Sequence, residues 1–321
     1  MSAPRHVVLG TGALGAWTAR GLRAKGHAVR AVNRSGVRPP LLPDDVELVA
    51  LDARDAGALA DAAADARTII DATDVPDRAR PADLPAIRAA AVAAAEAHGA
   101  TYLALEPLDL YDPAPPVNEE SRVAPAGPRG ALQRRLADDL AAAHDAGRVR
   151  AVTLRAGPAY GPGVVGSPFG ERFVADLLAG RAVRWVGEPD VPQAAAYAPD
   201  VGRAAAELAT YESALGRVWI APHAPAIAPR AFAALVAEAG GAPPPTVRPL
   251  GPWALRVAAA FRRDARAHLE DLPARMRPYH VDARRIDAVY ALKPTRLELG
   301  IAATVAWLRD GTLEGAAPFL R

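Results

Sequence analysis

Short apolar runs alternate with segments of helical periodicity through the first half of the chain. Strands are predicted over residues 5–10, 28–33, 46–51, 68–72, 101–105 and 150–154. Helices are predicted over residues 13–25, 56–66, 84–98 and 130–146. This alternation is typical of βαβ units, whose right-handed crossovers place helices on both faces of a parallel sheet. The predicted fold class is therefore α/β, with a doubly wound parallel Rossmann sheet.

The second half of the chain is less regular and mostly helical. Helices are predicted over residues 169–179, 199–210, 229–239, 252–275 and 295–310, with one strand over 216–221. We interpret residues 1–158 as the Rossmann core and residues 159–181 and 222–321 as a smaller, mostly helical C-terminal lobe. Residues 182–221 are expected to return to the core.

Composition narrows the classes of function. The 321 residues are 51% hydrophobic and 23% charged, which supports an ordinary globular core. The absence of cysteine excludes disulfides, thiolate metal sites and a cysteine nucleophile, and the seven histidines show no metal-ligand spacing. A net charge of +2 without a dense basic run argues against nucleic acid, and no long apolar run predicts a membrane span. Since the chain enters a strand at once, without signal-peptide features, we expect a cytoplasmic protein, monomeric or homodimeric.

The strongest local signal is VVLGTGALG at residues 7–15, a G-x-G-x-x-G pattern between a predicted strand and a predicted helix. Its first glycine permits the tight turn, its second lets the backbone approach a pyrophosphate, and its third allows close helix–strand packing. The helix N-terminus then offers unpaired N–H groups to the phosphates. We expect a dinucleotide to contact Gly10, Thr11, Gly12, Ala13, Leu14 and Gly15. The alternative is a glycine-rich turn retained for packing alone.

The end of the second predicted strand distinguishes between the nicotinamide cofactors. An acidic residue there would bind the ribose hydroxyl of NAD, but this chain has Asn33, Arg34 and Ser35. An arginine between small polar residues fits a 2′-phosphate, which predicts NADP or NADPH. The alternative makes Arg34 a solvated loop arginine. Asp52 is a candidate for the adenine edge or, equally, a turn aspartate.

Several further segments carry a resemblance to a known family. They are VNRSG (32–36), LDARD (51–55), IIDATDVP (69–76), RAGPAYGPG (155–163), RWVGEPDVPQAAAYAPDVGRA (184–204), GRVWIAP (216–222) and PTRLELGIAATVAWLR (294–309). With the glycine loop, the chain resembles the extended and atypical short-chain dehydrogenase/reductases of the NAD-dependent epimerase/dehydratase type over nearly its full length. The resemblance implies an NADP-binding core at 1–158 and a substrate lobe. It also implies cofactor contacts from Ala72 and Thr73, and from Gly157 and Pro158 at the nicotinamide end.

The catalytic residues of that family are missing from this chain. The family uses a Ser or Thr, and a Tyr with a Lys four residues on. Lysine occurs only at positions 25 and 293, and no tyrosine has a lysine four residues later. Gly130 stands where the tyrosine would be, Arg134 where the lysine would be, and the serine position falls near Glu106 and Pro107. We expect Arg134 to hold the cofactor ribose instead.

The absence of the tyrosine–lysine pair limits which reactions the chain is expected to catalyse. The chain resembles tyrosine-less ketoreductases of antibiotic pathways, which implies an NADPH-dependent reductase acting on a small-molecule ketone of aromatic polyketide type. Such a ketone can supply its own hydrogen bond, because the cofactor performs the hydride chemistry. One alternative is a non-catalytic NADP-binding sensor or scaffold. Another is a sugar-nucleotide epimerase or dehydratase, although that reaction needs a strong base.

Most candidates for the remaining roles lie in loops that follow predicted strands, whereas Arg134 lies in the predicted helix 130–146 at the family's lysine position. For proton transfer they are Glu106, Tyr160 and Arg134, and for substrate contact they are Asp109, Tyr111, Tyr160, Ser167 and Gln193. The alternative explanation is packing for Tyr160, an exposed turn for Glu106 and Asp109, and anchoring of the loop 112–128 for Tyr111. The proline-rich stretch 108–130 is interpreted either as a lid over the site or as a surface excursion.

Overall fold

The computed structural model describes residues 5–76, 79–112, 116–125, 127–261, 269, 272–273, 275–313 and 315–317. The strands are β1 Arg5–Leu9, β2 Ala28–Asn33, β3 Glu47–Ala50, β4 Ala66–Asp71, β5 Thr101–Pro107, β6 Arg150–Ala156, β7 Ala159–Tyr160, β8 Val183–Val186, β9 Ala196–Tyr197, β10 Val218–Ile220 and β11 Val247–Leu250. The helices are α1 Ala13–Ala24, α2 Ala56–Ala62, α3 Arg80–His98, α4 Gly127–Asp145, α5 Glu171–Leu178, α6 Ala198–Leu208, α7 Pro229–Gly240, α8 Pro252–Phe261, α9 Arg284–Tyr290 and α10 Leu297–Asp310. Short 3₁₀ turns lie at Leu108–Leu110 and Glu212–Ala214.

Seven strands form one parallel sheet in the order β10-β6-β5-β4-β1-β2-β3. This confirms the predicted doubly wound α/β fold. Strand β1 lies between β4 and β2, so the chain runs outward from it in both directions. The carboxyl ends of β1 and β4 therefore border the switch point where ligands bind in such sheets.

Small residues bring helices α1 and α6 close together on one face of the sheet. A Cβ atom built on Gly202 would lie 2.5 Å from the backbone carbon of Trp17, and one on Gly21 would lie 2.9 Å from the Cβ of Ala206. The opposite face is covered by α2, α3 and α4, with a core of alanine and aliphatic residues. Both faces are thus buried, as a parallel sheet requires.

The C-terminal lobe has an aromatic core of its own. Phe169 stacks on Trp185 and Phe232 with ring centroids 4.9 Å and 4.8 Å apart, and α5, α7 and α10 supply the surrounding aliphatic residues. Strand β8 pairs with β11 in this lobe, whereas α6 packs against α1 and β10 extends the main sheet. The expected return of 182–221 to the core is therefore corrected, since its first part, β8, lies in the lobe.

Other elements differ from the sequence-based expectation. The helix expected over 252–275 is described as α8 to Phe261, and most of its remainder lies outside the described residues. Helix α9 and strand β11 were not predicted. Within segment 108–130, Tyr111 pairs with Val123 in an isolated antiparallel bridge. The segment is attached to the rest of the protein at Val117, whose N–H donates to the His280 carbonyl at 2.8 Å.

Helices long and apolar enough to cross a lipid bilayer are absent from the part of the chain that the structure describes.

Candidate cofactor and active site

The glycine loop after β1 has the geometry of a phosphate cradle. Gly10 adopts φ +86°, and a Cβ there would lie 2.7 Å from the carbonyl oxygen of Ala72. A Cβ on Gly15 would clash with the Gly10 carbonyl oxygen, whereas one on Gly12 would meet nothing within 4 Å. Gly12 is also the N-cap of α1 and supplies no side chain to the helix end. The loop is therefore closed on its inner side and open above the α1 N-terminus, which fits a dinucleotide pyrophosphate.

The loop after β2 is ordered by Asn33. Its Nδ2 donates to Thr11 Oγ1 at 2.8 Å and to the Val37 carbonyl at 2.9 Å, and its Oδ1 accepts from the Gly36 N–H at 2.7 Å. Arg34 stands at the tip of this loop with an exposed side chain. Asn33 thus joins the glycine loop to the segment that presents the arginine.

Asp52 and Ser35 form contacts within the protein. Asp52 accepts from Arg54 Nε at 2.9 Å, and Arg54 also reaches Asp83 at 2.9 Å. These hydrogen bonds from Arg54 hold the pKa of Asp52 down at about 2, with a smaller contribution from the nearby charge of Arg34. The Ser35 hydroxyl accepts from the Val37 N–H at 3.2 Å. Asp52 is therefore already paired with Arg54, and its expected contact with an adenine base stays a prediction.

The ends of β4 and β1 are held together beside the cradle. The Ala72 N–H donates to the Leu9 carbonyl at 2.9 Å. Asp71 accepts from both the Thr73 N–H, at 3.1 Å, and the Thr73 hydroxyl, at 2.6 Å. Ala72 and Thr73 are thereby fixed at the switch point, next to Gly10.

A buried charge cluster joins α3 to β4, β5 and β6. Its members are Asp71, Arg88, Tyr102, Glu106, Tyr111 and Arg155. The Glu106 side chain is 0% exposed, with one oxygen 2.6 Å from Arg88 Nη1 and the other 3.2 Å from Arg155 Nε. Both oxygens are thus ion-paired, and an ion-paired carboxylate between two guanidinium groups is poorly suited to the proton-donor role expected for Glu106.

Tyr111 belongs to the same cluster and is 3% exposed. Arg155 Nη1 donates to the Tyr111 hydroxyl at 2.6 Å, and the Arg155 Cζ lies 5.0 Å from the centroid of the Tyr111 ring. Burial raises the pKa of Tyr111, and the charge of Arg155 opposes that shift. Tyr111 therefore anchors the end of β5 to β6, where a substrate contact was expected.

Helix α4 presents different residues from those expected. Arg134 is 45% exposed and bonded to Asp138 one turn later, at 2.6 Å, so its position does not support a ribose contact. The inward positions of α4 hold Gly130 and the buried Gln133. Arg129 lies 3.7 Å from Asp109, which is itself largely exposed.

Tyr160 lies in the core of the lobe. It is 0% exposed, with its ring 5.1 Å from Tyr197 and 5.4 Å from Phe232, and its hydroxyl faces Gly300 of α10. Burial raises its pKa. The expectation that Tyr160 touches substrate or transfers a proton is corrected, because the turn after β6 directs the ring into the lobe.

Gln193 and Ser167 likewise form hydrogen bonds with backbone groups. Gln193 Nε2 donates to the carbonyls of Pro192 and Arg277 at 3.1 Å and 2.9 Å. Ser167 Oγ accepts from the Phe169 N–H at 3.4 Å. Neither geometry assigns these residues to substrate, and both roles stay predictions.

Sequence analysis did not single out His223, which the structure places beside Gly157. It is 7% exposed, and its Nε2 accepts from the Gly157 N–H at 3.0 Å while Nδ1 lies 2.6 Å from the Ala221 carbonyl. Pro158 is fixed nearby, because its carbonyl accepts from the Ala196 N–H at 2.9 Å. The available signal was a histidine two residues after a predicted strand, at the edge of the sheet where ligands bind.

Among the described residues, no group of three or more His, Asp or Glu side chains is arranged to hold a metal ion.

Solved structures of sugar-nucleotide enzymes share this architecture. UDP-glucose 4-epimerase of Thermotoga maritima, solved with UDP-glucose, superposes with a TM-score of 0.76 at 17% identity, covering 96% of this chain and 99% of that one. The Thermus thermophilus UDP-glucose 4-epimerase in complex with NAD gives 0.75 at 19%, covering 96% and 100%. The dTDP-glucose 4,6-dehydratase of Streptomyces venezuelae, with NAD bound, gives 0.77 at 19%, covering 99% and 100%. At these identities the likeness shows the fold.

Comparison at the level of sequence is more specific. No curated protein matches the chain. Residues 7–210, which include the cradle, the loop after β2, the charge cluster and α4, match the NAD dependent epimerase/dehydratase family. The chain therefore belongs to the NAD-dependent epimerase/dehydratase family.

Proposed function

We propose that the protein binds NADP(H) and reduces a ketone without a tyrosine base. The observation that carries the cofactor preference is the loop after β2, where Asn33 ties the exposed Arg34 to the phosphate cradle. No acidic residue stands at the end of β2 to bind a free ribose hydroxyl. A guanidinium in that place can form a charge-assisted contact with a 2′-phosphate.

The residues of the cradle would bind and orient the cofactor. The N–H groups of the Gly10–Gly15 loop and the α1 N-terminus would hold the pyrophosphate, and Arg34 the 2′-phosphate. When bound, the reduced cofactor supplies the hydride. The buried charge cluster fixes the ends of β4, β5 and β6 against one another, which keeps this wall of the cleft rigid.

The proton would come from the substrate or from water. Neither Gly130 nor Arg134 can replace the phenol and amine of the family's pair, and Glu106 is ion-paired. General acid catalysis contributes roughly 10²–10⁴-fold in rate. A ketone hydrogen-bonded by its own neighbouring hydroxyl group, as in aromatic polyketides, recovers part of that factor. This substrate class fits an active site without the pair.

A sugar-nucleotide epimerase or dehydratase is the second candidate. It is favoured by the shared fold of three enzymes whose substrates are sugar nucleotides. Its oxidation step needs a strong base, and the described side chains near α4 offer none of the usual kind. The missing tyrosine therefore favours the reductase over this candidate.

A turnover assay separates the proposals. Reductase activity predicts steady loss of NADPH absorbance with a ketone flanked by phenolic hydroxyl groups. Interconversion of UDP-glucose and UDP-galactose without net cofactor consumption would support the second candidate instead. Tight NADPH binding with no turnover of either substrate class would leave a sensor or scaffold, and would contradict the reductase.

The cofactor preference is tested by Arg34→Ala. Loss of one charge-assisted contact, worth about 1.5–3 kcal/mol, is expected to weaken NADPH binding by about 10- to 150-fold. NADH carries no 2′-phosphate, so its affinity should change by less than about twofold. Isothermal titration calorimetry with both cofactors measures the two effects.

Arg134→Ala is the matched control for that variant. It removes the same charge from an exposed arginine whose partner is Asp138 on the same helix. We expect its NADPH affinity to equal that of the unsubstituted protein. Equal losses of NADPH and NADH affinity in Arg34→Ala would contradict the assignment of NADP.

A further inference from the structure

His223 joins the ends of two neighbouring strands of the main sheet. Strand β10 pairs with β6, and the Ala221 N–H donates to the Arg155 carbonyl at 2.9 Å. Two residues later, the His223 ring lies over the first residue after β6, where Nε2 accepts from the Gly157 N–H at 3.0 Å. Because Nε2 is an acceptor there, the ring proton is on Nδ1, which donates to the Ala221 carbonyl at 2.6 Å.

This contact leaves little freedom for the backbone at Gly157. A Cβ atom there would lie 3.0 Å from His223 Nε2 and 3.7 Å from the Cβ of Ala194. The backbone of Gly157 is therefore packed between an imidazole ring and a second segment. On its other side, Pro158 is fixed by the hydrogen bond from Ala196 to its carbonyl.

The topology places this backbone on the path of the second half of a dinucleotide. If the pyrophosphate lies at β1 and the 2′-phosphate at β2, the nicotinamide half of the cofactor must extend in the other direction, over β4, β5 and β6. From β1 to β6 is three strand spacings of about 4.8 Å, or about 14 Å. Gly157 follows β6 directly, at the carboxyl edge of the sheet.

We propose that His223 is a positioning residue, which fixes the Gly157–Pro158 backbone as the wall against which the nicotinamide half of the cofactor packs. The inference rests on the proposed binding of NADP(H). His223 acts through Gly157, because both of its ring nitrogens are already bonded to the backbone and neither is available to substrate.

The test compares two ligands that differ in the nicotinamide half. NADPH contains it, whereas adenosine 2′,5′-bisphosphate has only the adenosine end and its phosphates. In His223→Leu, we expect NADPH affinity to fall about tenfold and bisphosphate affinity to stay within about twofold of the unsubstituted protein. His223→Gln keeps an acceptor for the Gly157 N–H and should restore most of the NADPH affinity.

A second variant keeps the test informative if His223→Leu does not fold. Gly157→Ala places a methyl group against the ring, and it should produce the same selective loss of NADPH affinity. The inference is overturned if His223→Leu binds NADPH normally, if it loses the bisphosphate equally, or if His223→Gln is as weak as the leucine variant. If the unsubstituted protein binds neither NADPH nor the bisphosphate, the proposed function is overturned together with the role of His223. If it binds both and only the variants behave otherwise than expected, the role of His223 alone is overturned.

Discussion

Replacing Glu106 by glutamine is expected to lower the free energy of unfolding by about 3–5 kcal/mol. The substitution keeps the shape of the side chain but removes the charge that faces Arg88 and Arg155. Those two guanidinium groups are 6% and 7% exposed, so water cannot replace the lost partner. An uncompensated buried charge is far more costly than a broken surface pair. Urea unfolding followed by circular dichroism measures the difference.

Glu96→Gln provides the matched control. The same chemical change breaks an ion pair with Arg148, whose side chain is 58% exposed while that of Glu96 is 31% exposed. Its expected cost is less than about 1 kcal/mol. If Glu106→Gln were no more destabilising than Glu96→Gln, the charge cluster would not be the rigid wall that we describe. A large loss of stability with unchanged NADPH affinity would confine the cluster to a structural role.

Acidification is expected to destabilise the protein between pH 6.5 and about 4. His6 is fully buried in β1, and burial lowers its pKa from 6.5 to about 4, with smaller effects from His27 and Arg67. Burial also lowers the pKa of His223 to about 4. In this interval the unfolded chain binds protons that the folded chain excludes, so stability falls as the pH falls. Each histidine contributes about 3 kcal/mol over the interval, at about 1.4 kcal/mol per pH unit.

His6→Leu should reduce this pH dependence. Leucine fills the buried position without a titrating group, so the loss of stability between pH 6.5 and 4 should shrink by about 3 kcal/mol. Melting temperatures measured across the range give the slope, and His98→Leu, at an exposed position, serves as the control. Identical slopes for His6→Leu and the unsubstituted protein would mean that His6 is not the group responsible.

Local chemistry explains why the conformation of the glycine loop was predictable. Gly10 needs a positive φ, Gly15 has no room for a side chain, and both constraints act over a few residues of chain. The strand and helix on either side follow from short-range periodicity. The boundaries shifted by a few residues, and the strand expected over 68–72 is β4 at Ala66–Asp71.

The roles of individual polar side chains were less accessible. Glu106 and Tyr111 follow a strand end, where substrate groups are common, but their partners Arg88 and Arg155 come from distant parts of the sequence. Tyr160 sits in a family-like motif, yet its ring points into an aromatic core assembled from the lobe. These contacts join residues that are far apart in the sequence. Periodicity indicates which face of a helix or strand a residue occupies, but it does not indicate which residue of another element lies opposite.

The sequence by itself determined the α/β class, the glycine loop at residues 10–15 between β1 and α1, the arginine at the end of β2 and the absence of the tyrosine–lysine pair. These features depend on local backbone geometry or on residue identity alone. Only the tertiary structure decided that Glu106 is ion-paired, that Arg134 is exposed and that His223 binds Gly157. The contacts of Glu106 and His223 depend on which distant segments the parallel sheet brings side by side, and the exposure of Arg134 depends on which face of α4 packs against the sheet.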